Sequence, residues 1–136
     1  ILSRPSVGRL LHISGEHTRG NISTRLTGLG QICEHIVAYK QETLSLTTEA
    51  MDAFKGGKPI ILPLFSPRTA QLLITQSVPL EQSHMIALSE AVAELFNDFK
   101  LSSLTVAEAP TAESILDDLL RVFTNISSLE TRRRHT

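Results

Sequence analysis

The sequence predicts an α/β fold in which strands and helices alternate along the chain. Five short segments have the apolar or alternating composition of strands: residues 9–14, 33–42, 59–65, 84–89 and 103–109. A segment with helical periodicity follows each of them: residues 21–30, 46–57, 67–77, 90–99 and 111–126. Because such alternation implies right-handed crossovers, we expect a mostly parallel open sheet with helices on both faces.

The first two helices carry their own start and stop signals. In the first helix, Ile22, Leu26 and Leu29 form one apolar stripe, and two glycines are placed to end it. In the second helix, Thr47 or Thr48 is suited to cap the start, and a glycine pair ends it. The segment between these helices alternates after Cys33, which is typical of a strand.

The second half of the chain predicts the buried centre of the fold. Residues 59–65 are almost wholly apolar, as in strands of parallel sheets that are buried on both faces. We expect the fourth and fifth helices to pack on the sheet through apolar faces: Val92, Leu95, Phe96 and Phe99, and then Ile115, Leu119, Val122 and Phe123. In the fifth helix we expect three charged residues to point largely outward: Asp117, Asp118 and Arg121.

The composition restricts the classes of function. The chain has 136 residues, of which 41% are hydrophobic, enough for one ordinary globular domain with a core. Its formal net charge of −1 gives no support to nucleic-acid binding through a broad basic surface. No apolar run approaches the roughly 20 residues that a membrane-spanning helix needs. One cysteine excludes a disulfide within the chain, and the histidine spacing indicates no metal site.

The turn Ser66-Pro67-Arg68 follows the third strand, at the edge where ligands bind in open parallel sheets. Ser66 is suited to cap the next helix with Pro67 at its first position, so capping explains both residues. Arg68 is different, because a cation in the first turn of a helix opposes the helix dipole. A hydroxyl, free backbone N–H groups and a guanidinium together favour an anion. The alternative is that Arg68 pairs with a carboxylate or points to solvent.

Other predicted strands bring candidates to the same edge. The loop 14–21 contains Gly15, which permits close approach of a ligand to the backbone, and Arg19, which adds charge. Tyr39 ends the second strand, where a packed ring is the alternative to a site residue. Ser89 and Thr111 follow the fourth and fifth strands. The loop also resembles a flavodoxin phosphate loop, but aromatic residues make up only 4% of the chain, which leaves a flavin few stacking partners.

Four segments, in this order, resemble the C-terminal half of the uroporphyrinogen-III synthases. They are LLHISGEHTRGNISTRLTGLGQICEHIVAYKQE, PIILPLFSPRTAQLL, HMIALSEAVAELF and TVAEAPTAESILDDLL, and the resemblance spans residues 9–125. The family pattern has an Arg-Gly loop after one strand, a tyrosine at the end of the next, and Ser-Pro-Arg or Ser-Pro-Ser after another. One departure is Ser89-Glu90, where the family often has Gly-Pro-Thr-Thr and where Glu90 would repel a carboxylate.

The resemblance implies a flavodoxin-like, two-domain α/β enzyme with its substrate between the domains, of which this chain is a fragment. Residues 1–40 would close one domain, residues 41–128 would form most of the other, and residues 129–136 would be a basic tail. The implied reaction, that of a cyclising lyase in heme biosynthesis, closes linear hydroxymethylbilane to uroporphyrinogen III with inversion of ring D. It implies no cofactor and no metal.

The resemblance also assigns roles to the residues. It implies that Tyr39 is an acid that assists departure of hydroxide. The expected substrate contacts, to the many carboxylates of a linear tetrapyrrole, are Gly15, Arg19, Ser66, Arg68, Ser89 and Thr111. We expect no nucleic-acid or membrane partner, a cytoplasmic location, a monomeric intact enzyme and an inactive isolated fragment. The alternatives are a non-catalytic flavodoxin-like module that binds an anionic ligand, and a degenerate family member kept for structure or interaction.

Overall fold

The computed structural model describes residues 8–18 and 20–133, which form five strands, five α-helices and one 3-10 turn. The strands are β1 (Leu10–Gly15), β2 (Cys33–Tyr39), β3 (Ile60–Leu64), β4 (Ser83–Ala87) and β5 (Ser103–Val106). The helices are α1 (Ile22–Gly28), α2 (Thr48–Lys55), α3 (Pro67–Thr75), α4 (Glu90–Ala93) and α5 (Ala112–Arg133). Strands and helices alternate as predicted and the paired strands are parallel, so the predicted α/β fold is confirmed.

The chain divides into two compact units, residues 1–44 (unit 1) and residues 45–136 (unit 2). Unit 1 holds a two-stranded sheet with the order β1-β2, and unit 2 holds a three-stranded sheet with the order β3-β4-β5. The predicted assignment of residues 1–40 and 41–128 to two domains of one enzyme stays a prediction.

In unit 1, α1 connects the parallel strands β1 and β2. Their register becomes irregular between Ser14 and Gly15, so that Gly15 lies opposite Tyr39 at the end of the ladder. After α1, Gly30 has a φ of 80°, in the left-handed region where glycine is unstrained, and the chain turns there into β2. Among the described residues of this unit, no hydrophobic side chain is fully buried.

One face of the β1-β2 sheet is exposed. Leu11 and Ile13 alternate along β1 on this face, and Ile36 lies opposite Ile13 in the parallel register. All three side chains are exposed, and α1 has no fully buried residue. The unit therefore depends on its backbone ladder and on partly buried contacts more than on a core of its own.

Unit 2 is built around β4, which is the central strand of its sheet. Met85 and Ile86 are both fully buried, and they belong to different hydrophobic clusters because successive strand residues point to opposite faces. The cluster on the Met85 face contains residues of α2, α3, α4 and the 3-10 turn, including Phe54, Ala70 and Phe96. The cluster on the Ile86 face is closed by α5. Helices cover both faces of this sheet, as predicted.

The fourth helix is shorter than predicted. Residues 90–99 form only one turn of α-helix in α4 and then the 3-10 turn Glu94–Phe96. Asn97 and Asp98 follow, and their short polar side chains compete for backbone hydrogen bonds and disfavour a longer helix. Phe96 is buried at 1% exposure, whereas Phe99 is 39% exposed. The two rings are tilted by 60° relative to each other, with their centroids 5.5 Å apart.

Two expectations for α5 were wrong. Asp118, predicted to face outward, is only 6% exposed, and Arg121 Nη1 donates a hydrogen bond to its Oδ1 at 2.9 Å. Phe123, predicted to face inward, is 58% exposed. The buried stripe passes through Ile115 and Val122, so Asp118 falls on its flank, and Phe123 falls one position beyond it.

The last helix also extends beyond its predicted end. It continues to Arg133, into the segment predicted as a basic tail, and residues 134–136 lie outside the described residues. None of the helices in the described residues, α5 included, is both long and apolar enough to cross a membrane.

We expect Phe96→Ala to lower the free energy of unfolding of unit 2 by about 3 to 5 kcal/mol, because it opens a cavity in the core. The matched control Phe123→Ala should change it by about 0.5 kcal/mol or less, since that ring lies on the surface. Urea unfolding followed by far-UV circular dichroism measures both values. Equal losses for the two variants would contradict the placement of Phe123 outside the core.

Candidate functional site

Polar residues follow the carboxyl ends of the strands in both units. In unit 2, the register places Leu64 opposite Ala87 and Ala87 opposite Val106, so the three strands end side by side. The predicted site residues Ser66, Ser89 and Thr111 follow β3, β4 and β5, and therefore lie at the same edge of one sheet. This is the edge at which ligands bind in open parallel sheets.

Ser66 and Thr111 use their hydroxyl groups to cap helices. Ser66 Oγ accepts a hydrogen bond from the backbone N–H of Thr69 at 3.1 Å, at the start of α3. Thr111 Oγ1 accepts one from the backbone N–H of Ser114 at 3.3 Å, at the start of α5. Ser66 Oγ also lies 2.9 Å from Thr69 Oγ1, so both hydrogen-bond contacts of the hydroxyl are with the first turn of α3.

Ser89 stands at the corresponding position before α4, but it does not cap that helix with its side chain. Its carbonyl oxygen accepts hydrogen bonds from the backbone N–H groups of Val92 and Ala93, at 2.9 and 3.2 Å. Its hydroxyl is half-buried and forms no hydrogen bond with the described residues. The next residue, Glu90, is exposed.

Arg68 lies in the first turn of α3, which has nine residues. Its side chain is half-buried, and within residues 8–18 and 20–133 its guanidinium forms no ion pair or hydrogen bond. The alternative in which Arg68 pairs with a carboxylate finds no partner in this part of the chain. The first turn of α3 thus carries a positive charge that has no ion-pair partner in the described part of the chain.

In unit 1, Tyr39 ends β2 and lies at the carboxyl edge of the two-stranded sheet. Its carbonyl oxygen accepts a hydrogen bond from the backbone N–H of Glu16 at 2.9 Å, which ties the end of β2 to the loop after β1. The side chain is 58% exposed, and its hydroxyl has no hydrogen-bond partner among the described residues. Gly15 is buried beside the ring. Arg19, in the same loop, lies outside the described residues.

The structure also forms a polar cluster that the sequence analysis did not predict. The rings of His12 and His35 stack with centroids 5.0 Å apart, and Ser14 Oγ lies 2.7 Å from His35 Nε2. His12 Nδ1 is buried and has no hydrogen-bond partner among the described residues. The two histidines lie opposite each other in the β1-β2 register, a relation that becomes visible only when the two strands are aligned in parallel. Among the described residues, no three His, Cys, Asp or Glu side chains are grouped to hold a metal ion.

A pocket of about 240 Å³, which was also not predicted, lies at the opposite edge of the unit 2 sheet. It is lined by residues that precede the strands, including Pro59, Gln82 and Ser102, together with His84. His84 Nδ1 lies 2.9 Å from Ser103 Oγ, and burial lowers the pKa of the His84 imidazole below its usual value. This pocket is separate from the edge that carries Ser66, Ser89 and Thr111.

Comparison with known protein families gives a match over most of the chain. Residues 1–117 match the family described as uroporphyrinogen-III synthase HemD. The chain belongs to the uroporphyrinogen-III synthase family. No curated protein gives a significant match to the sequence.

A solved structure with the same fold comes from Helicobacter pylori 26695, where it is described as a uroporphyrinogen-III synthetase. The two chains share 20% sequence identity with a TM-score of 0.65, and the match covers 82% of this chain and 52% of the other. At this identity the likeness shows the fold alone. The chain thus spans about half the length of that uroporphyrinogen-III synthetase.

The two serines before α3 and α4 form a matched pair for a stability measurement. We expect Ser66→Ala to lower the free energy of unfolding by about 1 kcal/mol, because it removes a helix cap. Ser89→Ala should lower it by about 0.5 kcal/mol or less, because no cap is lost. Urea unfolding of the two variants measures the difference. Equal costs would mean that the Ser89 hydroxyl forms a structural bond in solution.

Proposed function

We propose that this chain provides part of the active site of a uroporphyrinogen-III synthase. In this reaction linear hydroxymethylbilane loses hydroxide and closes to uroporphyrinogen III with inversion of ring D. The family match over residues 1–117 is the observation that carries the proposal. The reaction is that of a cyclising lyase in heme biosynthesis, and we propose a cytoplasmic location and a monomeric intact enzyme.

The proposed activity belongs to a polypeptide that supplies both halves of the family fold. The chain corresponds to only 52% of the Helicobacter pylori protein, and a reactive linear tetrapyrrole must be enclosed to be held in the folded conformation that closes. We therefore propose that the 136 residues have little activity by themselves.

We propose that Tyr39 assists departure of the hydroxide as a weak acid. A general acid must reach the leaving group within hydrogen-bonding distance. The exposure of Tyr39 and the absence of a partner for its hydroxyl among the described residues support this role. The role is an assisting one, as the family resemblance implies.

We propose that Arg68 and Ser89 contact carboxylates of the substrate. Arg68 lies in the first turn of α3, where backbone N–H groups and the helix dipole also favour an anion. The Ser89 hydroxyl is likewise unused within the described residues. Ser66 and Thr111 accept capping bonds, so their hydroxyls contribute chiefly by fixing the helix ends. The proposed contact of Arg19 stands on the resemblance alone.

A degenerate family member is the second candidate. Ser89-Glu90 departs from the threonine-bearing family pattern, and Glu90 places an exposed carboxylate in the first turn of α4. A carboxylate at this position repels the acidic arms of a tetrapyrrole. Loss of catalysis with retention of the fold would follow if this repulsion prevented productive binding.

Isomer analysis distinguishes the two candidates. Hydroxymethylbilane is supplied to the longest natural polypeptide that contains residues 1–136, and the products are oxidised and separated by chromatography. We expect uroporphyrinogen III from that polypeptide, and only uroporphyrinogen I, the uncatalysed product, from the 136 residues alone or without protein. Isomer I alone from the longer polypeptide would exclude the synthase activity and favour the degenerate member.

In the active polypeptide, we expect Arg68→Ala to raise KM about tenfold or more, since a hydrogen bond to a charged group contributes about 1.5 to 3 kcal/mol. Lys55→Ala removes one exposed positive charge from the same unit and serves as the control. It should leave KM unchanged within about twofold. Steady-state kinetics measures both variants, and an unchanged KM for Arg68→Ala would show that this turn does not bind the substrate.

A further inference from the structure

Gly15 and Tyr39 meet at the irregular end of the β1-β2 ladder. A Cβ atom added to Gly15 would lie 2.5 Å from Cε2, 2.7 Å from Cζ and 3.1 Å from Cδ2 of the Tyr39 ring. Distances of this size are far inside van der Waals contact. The ring therefore occupies the space that a side chain at position 15 would need.

The other glycines of unit 1 do not share this feature. An added Cβ at Gly8, Gly20, Gly28 or Gly30 would meet no atom within 4 Å. Gly20 and Gly30 have positive φ values of 78° and 80°, and this backbone conformation explains why glycine occupies both positions. Gly15 is not among the residues with positive φ. The close approach of the aromatic ring therefore explains why position 15 is a glycine.

We propose that Gly15 is a positioning residue for Tyr39. The missing side chain lets the ring lie across the end of β1, as aromatic residues do over glycine on a neighbouring strand. The Tyr39 hydroxyl has no hydrogen-bond partner among the described residues, so the ring is oriented by packing, and it approaches Gly15 closely enough to exclude a Cβ there. The consequence for catalysis rests on the proposed role of Tyr39 as the assisting acid.

This position gives Gly15 a different role from the predicted one. The predicted role was a backbone contact with a carboxylate of the ligand. In the structure Gly15 is buried, and the open side of its Cα is covered by the Tyr39 ring. The glycine would thus act on the substrate through the tyrosine that it orients.

The positioning has a direct catalytic rationale. A tyrosine at an exposed strand end has several accessible rotamers, and an acid that is misplaced by about 1 Å loses much of its effect. The three atoms nearest to a Cβ at position 15 all belong to the Tyr39 ring, so such a side chain and the ring cannot both keep these places. A methyl group at position 15 should force the ring into another rotamer or push the two strands apart.

The chain offers a clean spectroscopic probe, because it contains one tyrosine and no tryptophan. Tyrosine fluorescence of the 136-residue chain therefore reports on Tyr39 alone. We expect Gly15→Ala to lower the fluorescence anisotropy and to increase quenching by acrylamide, since the ring leaves its packed position. The control Gly28→Ala adds the same methyl group in open space and should change neither signal. Unchanged fluorescence in Gly15→Ala would overturn the proposal.

A double-mutant cycle tests the contact even if Gly15→Ala partly unfolds unit 1. Amide hydrogen exchange of β1 and β2 is measured for Gly15→Ala in three backgrounds: with Tyr39, with Tyr39→Phe and with Tyr39→Ala. We expect loss of protection with tyrosine and phenylalanine, and restored protection with alanine, because the ring and not the hydroxyl meets the methyl group. Equal loss of protection in all three backgrounds would refute the steric coupling.

The catalytic consequence is separated from the contact by kinetics in an active polypeptide. Gly15→Ala is expected to lower kcat to the level of Tyr39→Phe, with a smaller change in KM, and the two changes should not add. If Tyr39→Phe retains full kcat while the coupling persists, the acid role fails and the positioning contact stands. If the coupling is absent, the positioning inference fails whatever the activity of Tyr39→Phe.

Discussion

Parallel pairing with β4 at its centre is the constraint on which the structure of unit 2 depends. β4 is hydrogen-bonded on both sides and buried on both faces, with Met85 and Ile86 each at 0% exposure. A strand in this position cannot slip by one residue, because every side chain would change faces. The fixed register makes the three strands end together, and this in turn brings the polar turns after them to one edge. The placement of the candidate site thus follows from the burial of a strand that contributes no side chain to it.

Much of the fold could be predicted because the local signals agree with one another. Thr47 caps α2 by accepting a hydrogen bond from the backbone N–H of Ala50 at 3.2 Å, and Ser66 with Pro67 begins α3 as their residue types require. The predictions were wrong where tertiary packing determines which side chains are buried. Asp118 and Phe123 lie on either side of the boundary of an apolar stripe, and periodicity alone does not place that boundary to within one residue.

The site could be predicted only in outline. The ends of the predicted strands indicate which edge of the sheet carries the site, and the residue types there favour an anionic ligand. Which hydrogen bond each hydroxyl forms depends on the geometry of the loops, and no sequence pattern predicts that geometry. Ser66 and Ser89 both precede helices, yet only Ser66 caps with its side chain. The contacts between Gly15 and Tyr39 and between His12 and His35 depend on the register of β1 against β2. The residues of each pair are far apart in sequence and become neighbours only through this register. Gly15 and Tyr39 also lie where the register is irregular.

The exposed face of the β1-β2 sheet has a consequence for the order in which the protein loses structure. In the part of the chain that the structure describes, the fully buried hydrophobic side chains all belong to unit 2. Regions with few buried apolar contacts open at lower free energy than the global transition. In the 136-residue chain, heating should therefore disorder the strand that carries Tyr39 while the sheet around β4 remains folded. The Tyr39 ring would then leave its place beside Gly15 before unit 2 melts, and a calorimetric midpoint would overstate the temperature up to which that contact persists.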